Sequence, residues 1–92
     1  MELEFEWDEA KASSNLVKHR ISFDDAIGIF EGPVLETRSD RQDEERYKAV
    51  GVTDGRELAV VYTVRGSRYR IISARRAKTG ERRAYREANP SG

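Results

Sequence analysis

The chain has 92 residues, with 17 Lys and Arg against 17 Asp and Glu, one histidine and no cysteine. That length suits one small domain, and the composition excludes a disulfide framework, a thiolate metal site and, with His19 alone, a histidine zinc site. No apolar run approaches a membrane span and the acidic opening lacks a signal-peptide core, so the expected location is the cytoplasm, with no cofactor and no membrane partner.

Zero net charge conceals a segregation. Residues 1–64 carry 8 basic and 15 acidic side chains, whereas residues 65–92 carry 9 and 2. The C-terminal third therefore suits a surface for a polyanion, unless the two halves neutralise each other across the fold.

In chain order, residues 3–7 alternate apolar and acidic side chains and read as a short strand. Asp8 suits an N-cap for a helix through Lys18, supported by Ala10, Ala12, Leu16 and Val17. Ser22 caps a second helix, with Asp24 and Asp25 in its first turn and Phe23, Ala26, Ile27 and Phe30 at helical spacing. Gly32-Pro33 ends it. Residues 34–37 read as an edge strand and residues 39–45 as a polar loop. Residues 46–53 form the next strand, and Asp54-Gly55 is a two-residue hairpin signal. Residues 57–64 form a clear strand with Leu58, Val60, Tyr62 and Val64 on one face. Gly66 marks a turn, residues 68–76 a further strand, and residues 78–87 a charged closing helix with Thr79 as a candidate cap. The expected fold is one α+β domain over residues 1–88, with an antiparallel sheet, two N-terminal helices and one C-terminal helix. Residues 89–92 read as a flexible tail.

Two polar clusters stand out. Arg75, Arg76 and Lys78, followed by Glu81, Arg82, Arg83 and Tyr85, form the denser one. Arg75 and Arg76 point to opposite faces if the strand runs through them, and Glu81 and Tyr85 share a helix face. The plain alternative is that the arginines are the solvated side of a terminal helix. Lys11, Asn15, Lys18 and His19 form a second cluster at helical spacing, which reads equally as an ordinary exposed stripe. Metal-free cleavage of an RNA phosphodiester needs a base, a cation for the crowded phosphate and an acid for the leaving oxygen. These clusters hold such groups.

The series Phe5-x-Trp7-Asp8-x-x-Lys11-x-x-x-Asn15-x-x-Lys18-His19-x-Ile21-Ser22-Phe23-x-x-Ala26 resembles the opening of BrnT toxins. Tyr62-Thr63, Arg70-Ile71-Ile72-Ser73-Ala74-Arg75-Arg76-Ala77 and Glu81-Arg82-x-x-Tyr85 resemble their ending. The resemblance runs from about Phe5 to Tyr85. It implies a fold similar to the RelE-type toxins and a metal-independent endoribonuclease that halts translation. It also implies a BrnA-like ribbon-helix-helix antitoxin, two toxins to two antitoxins, with operator DNA contacted only through the antitoxin. In that picture Arg75 or Arg76 stabilises the phosphate anion, and His19 or Glu81 handles protons. Lys11, Lys18 and Arg82 hold the RNA backbone, and Tyr85 stacks or donates. The arrangement requires the first helix and the last strand to meet at one cleft. The competing expectation is a non-catalytic module that binds nucleic acid or a protein partner.

Overall fold

The protein is described by a computed structural model covering residues 3–90. Of the residues expected in the terminal segments, Met1, Glu2, Ser91 and Gly92 lie outside the described residues.

A five-stranded sheet carries the fold, in the order β1-β5-β4-β3-β2. The strands are β1 (Glu4–Trp7), β2 (Leu35–Arg38), β3 (Tyr47–Thr53), β4 (Arg56–Arg65) and β5 (Arg68–Arg76). The helices are α1 (Glu9–His19), α2 (Phe23–Ala26) and α3 (Thr79–Ala88). Strands β2 to β5 form the expected antiparallel meander, but β1 joins β5 in parallel, so the sheet is mixed rather than antiparallel. The acidic side chains of β1 meet basic ones of β5 in that parallel register. Glu4 lies opposite Arg68 and Glu6 opposite Arg70, and ion pairs join Glu4 to Arg68 and Glu6 to both arginines. Part of the charge segregation is thus neutralised across the fold.

The second N-terminal helix is also shorter than its spacing suggests. Ser22 Oγ accepts from the Asp25 N–H as a cap, but α2 is a single turn that tightens into a 3₁₀ segment, Ile27–Glu31. That segment packs tightly on β3. A Cβ placed on Gly51 would come within 2.9 Å of the Ile29 Cβ and 3.0 Å of Val34 Cγ1, so only glycine permits the approach. At the β3–β4 hairpin, Asp54 and Gly55 adopt φ of 50° and 73°, as a two-residue turn of that type requires.

One further irregularity decides the site. Tyr62 pairs with Ile71 and Val61 with Ser73, leaving Ile72 as an extra residue in β5. This bulge offsets the alternation of β5. Ile71, Ala74 and Arg76 therefore pair with Tyr62, Val60 and Leu58, while Ser73 and Arg75 pair with Val61 and Ala59 on the opposite face.

Both faces of the sheet are covered. On the first, Ile21, Phe23, Ala26 and Ile29 pack over Ala49, Leu58, Val60, Tyr62, Ile71 and Ala74. Fully burying side chains such as Phe23, Ile29 or Leu58 contributes about 1.5–3 kcal/mol each. Tyr62 stacks between Tyr47 and Tyr69, with centroids 5.5 and 4.5 Å away. Val64, expected on this face, is 46% exposed because it lies past the covering helices near the strand end. The second face has a smaller core of Val50, Ala59, Ala77 and Tyr85, with Leu35 against it, roofed by α3.

Candidate functional site

Arg75 stands on the α3 face because of the Ile72 bulge, and α3 supplies its partner. Helix α3 starts after Lys78, not at a Thr79 cap, and the Glu81 carboxylate reaches back to the Lys78 N–H at 2.8 Å. That closes the first turn and aims Glu81 at β5. Arg75 Nη1 and Nη2 donate to Glu81 Oε1 and Oε2 at 2.7 and 2.8 Å, and Lys48 Nζ of β3 donates to Oε2 at 2.7 Å. The Glu81 side chain is only 14% exposed.

The bidentate pair with Arg75, assisted by Lys48 and the Lys78 N–H, holds the Glu81 carboxyl well below the usual carboxylate range despite its burial. The same bonds raise the Arg75 guanidinium above its ordinary value. Glu81 therefore remains ionised, and each of its oxygens accepts two N–H groups. It can position cations, but it has little lone-pair capacity left for taking a proton.

The geometry of Arg75 is informative in its remaining donors. Its end-on fork is committed to Glu81, and its second Nη1 hydrogen serves the Arg76 carbonyl at 3.2 Å. The side-on fork, formed by Nε–H and the other Nη2–H, has no protein partner among the described residues. Such a fork matches two oxygens of a phosphate. Two cations surround one carboxylate here, so the cluster keeps a net positive charge.

The α1 cluster forms a neighbouring depression. Lys11, Ser14, Asn15, Lys18 and His19 of α1, with Ile72 and Ser73 of β5, line a hollow of about 200 Å³. Lys11 and Lys18 are exposed and His19 is half-buried. Asn15, expected on an exposed stripe, is instead buried, at 7% exposure. Strand β1 stops opposite Ile71, which leaves the β5 edge open beyond it. Asn15 fills that gap: its amide donates to the Ala74 and Ile21 carbonyls and its oxygen accepts the Ala74 N–H. One side chain thus imitates a neighbouring strand and fixes α1 against β5.

Ser73 links the two clusters. It lines the α1 hollow and shares a strand face with Arg75, two residues on, at a spacing of about 7 Å along the strand.

The other candidates lie elsewhere. Arg76 is exposed on the opposite face from Arg75. Arg82 donates to the Thr79 hydroxyl and, with Arg83 and Arg86, lines an open hollow of about 650 Å³ along α3. Tyr85 is 7% exposed, and its hydroxyl donates to the Pro33 carbonyl at 3.0 Å. Its ring anchors α3 and is not presented for stacking. Lys48 was not legible as a site residue: its one signal was a lone cation within the apolar run of β3.

No curated protein matches the chain. A family model described as the ribonuclease toxin, BrnT, of type II toxin–antitoxin systems matches residues 7–81. The matched span includes the α1 hollow and the Arg75, Lys48 and Glu81 network, and ends before Arg82 and Tyr85. With most of its length matched, the chain belongs to the BrnT family of ribonuclease toxins of type II toxin–antitoxin systems.

Proposed function

We propose that this toxin is a metal-independent endoribonuclease that acts through the RNA's own 2′-hydroxyl and thereby stops translation. The observation that carries the reading is the side-on fork of Arg75, held in place by Glu81 and without a protein partner among the described residues. In this reading the scissile phosphate occupies that fork. The 2′-hydroxyl attacks phosphorus, the bond to the 5′-oxygen breaks, and Arg75 with Lys48 stabilises the extra negative charge of the crowded phosphate. Glu81 positions both cations and moves no proton. His19, in the α1 hollow, is the candidate for proton transfer, since its imidazole ring can both accept and donate a proton. Lys11 and Lys18 hold the RNA backbone as it passes Ser73, and Arg82 extends the positive surface. Arg76 and Tyr85 play no direct chemical part.

Among the described residues no three of His, Cys, Asp and Glu gather as ligands. The family assignment brings an antitoxin partner. Its ribbon-helix-helix type, a two-to-two complex and contact with operator DNA through the antitoxin alone complete the proposal. So do a RelE-like fold, a single domain over residues 1–88 and action in the cytoplasm. Among the described residues, no helix is long and apolar enough to cross a membrane.

The test is cleavage of free RNA and of messenger on translating ribosomes, with purified protein in excess chelator. Wild-type protein is expected to cleave, leaving a 2′,3′-cyclic phosphate, and folded Arg75→Ala to lose about 10²-fold or more. Wild-type protein that binds RNA but cleaves neither substrate favours the non-catalytic module instead.

A further inference from the structure

A second concavity lies beside the Arg75 network, on the α3 face. It holds about 180 Å³. Leu35 and Val50, paired across β2 and β3, give it an apolar lining, Thr37 and Ala84 flank it, and the Lys48–Glu81 ion pair forms its polar edge. The paired Leu35 and Val50 suit an apolar occupant, with charge confined to one edge.

Gly80 borders the same hollow. Its φ lies outside the left-handed region and a Cβ added there meets no atom within 4 Å, so neither backbone nor packing calls for glycine. In the first turn of α3 glycine forgoes helix propensity relative to alanine. Its missing side chain leaves the mouth of the hollow open.

We propose that this hollow is a nucleobase subsite, which takes the base of the nucleotide next to the phosphate held by Arg75. The proposal rests on the ribonuclease reading above. Charge favours RNA over a protein side chain as the occupant. Lys48 and Arg75 against the single Glu81 carboxylate make this end of the slot net positive, and a nucleotide joins a flat ring to an anion. Base identity is then sensed through fit to the Leu35, Val50 and Ala84 surface, with Thr37 as the neutral hydrogen-bonding group.

The test uses Gly80→Leu, which fills the slot from the solvent side and leaves Lys48, Glu81 and Arg75 in place. Circular dichroism and thermal melting confirm its fold. Wild type and variant are compared on an oligonucleotide of defined sequence and on copies with an abasic residue on either side of the cleaved bond. The wild type is expected to lose about tenfold or more in kcat/KM when one particular flanking base is removed. Gly80→Leu is expected to cleave the intact RNA about tenfold more slowly and to be indifferent to that abasic change. Equal loss on intact and abasic RNA, or wild-type cleavage with unchanged preference, overturns the base subsite. Unchanged cleavage with lost neutralisation by the antitoxin also overturns it and assigns the slot to the antitoxin. If wild-type protein cleaves no RNA at all, the ribonuclease reading itself fails, and the subsite fails with it.

Discussion

The Asn15 carboxamide bonds both the N–H and the C=O of Ala74, closing the β5 edge that β1 leaves uncovered. Asn15→Ala removes these bonds and the one to Ile21, leaving buried backbone groups without partners. The expected loss is about 2–4 kcal/mol in urea unfolding. Because the same bonds hold α1 against β5, RNA affinity per folded molecule should fall as well. Unchanged stability would show that solvent or a shifted neighbour satisfies Ala74.

Arg75→Lys keeps the charge and removes the fork. A lysine cannot grip Glu81 end-on and a phosphate side-on at once. The expected result is a fall of about 10²-fold in kcat with a much smaller change in RNA affinity, measured by single-turnover cleavage and by filter binding. A variant within threefold of wild type would reduce the role of Arg75 to a point charge.

Glu81 sets a pH dependence whose sign follows from its lowered carboxyl pKa. A carboxylate more acidic in the folded state stabilises the protein above its unfolded pKa of about 4.3. That contribution declines as pH falls from there towards the lower folded pKa. Glu81→Gln should therefore be less stable than wild type at neutral pH and should lose stability less steeply below about pH 4. Urea unfolding across pH 2–7 measures both slopes. Cleavage should fall too, since Arg75 and Lys48 lose the anion that holds them together. A variant as active as wild type would disprove the positioning role.

Tyr85→Phe separates an anchor from a proton donor. Loss of the hydroxyl removes its bond to the Pro33 carbonyl and should cost about 1 kcal/mol of stability. Cleavage per folded molecule should stay within about twofold of wild type, because the ring is not open to RNA. A loss of kcat beyond tenfold with little loss of stability would return Tyr85 to the chemistry.

Local signals carried most of the fold. The Asp54-Gly55 turn and the alternation of residues 57–64 announced the β3–β4 hairpin, and Asp8 and Ser22 capped the helices they were expected to cap. The misread parts depend on distant residues. The residue 3–7 alternation fits a strand in either direction, and only pairing with β5 made it parallel. Ile27 and Phe30 keep helical spacing, yet the stretch, packed against Gly51 through Ile29, is 3₁₀. For the site, helical spacing grouped Lys11, Lys18 and His19 correctly and placed Asn15 with them, but could not reveal that Asn15 faces an open strand edge. Nor could it pair Lys48 with Glu81, which are 33 residues apart. Ile71 and Ile72 are chemically alike, so no pattern marked where the bulge falls.

That single surplus isoleucine also acts as a switch of phase. Were Ile72 instead paired with Val61 in an unbroken ladder, every side chain from Ser73 onward would trade sides of the sheet relative to the residues before it. The guanidinium now under α3 would turn towards the Phe23 side, and its sequence neighbour would arrive where Glu81 waits. Which of two adjacent arginines meets Glu81 is thus decided by one uncharged residue.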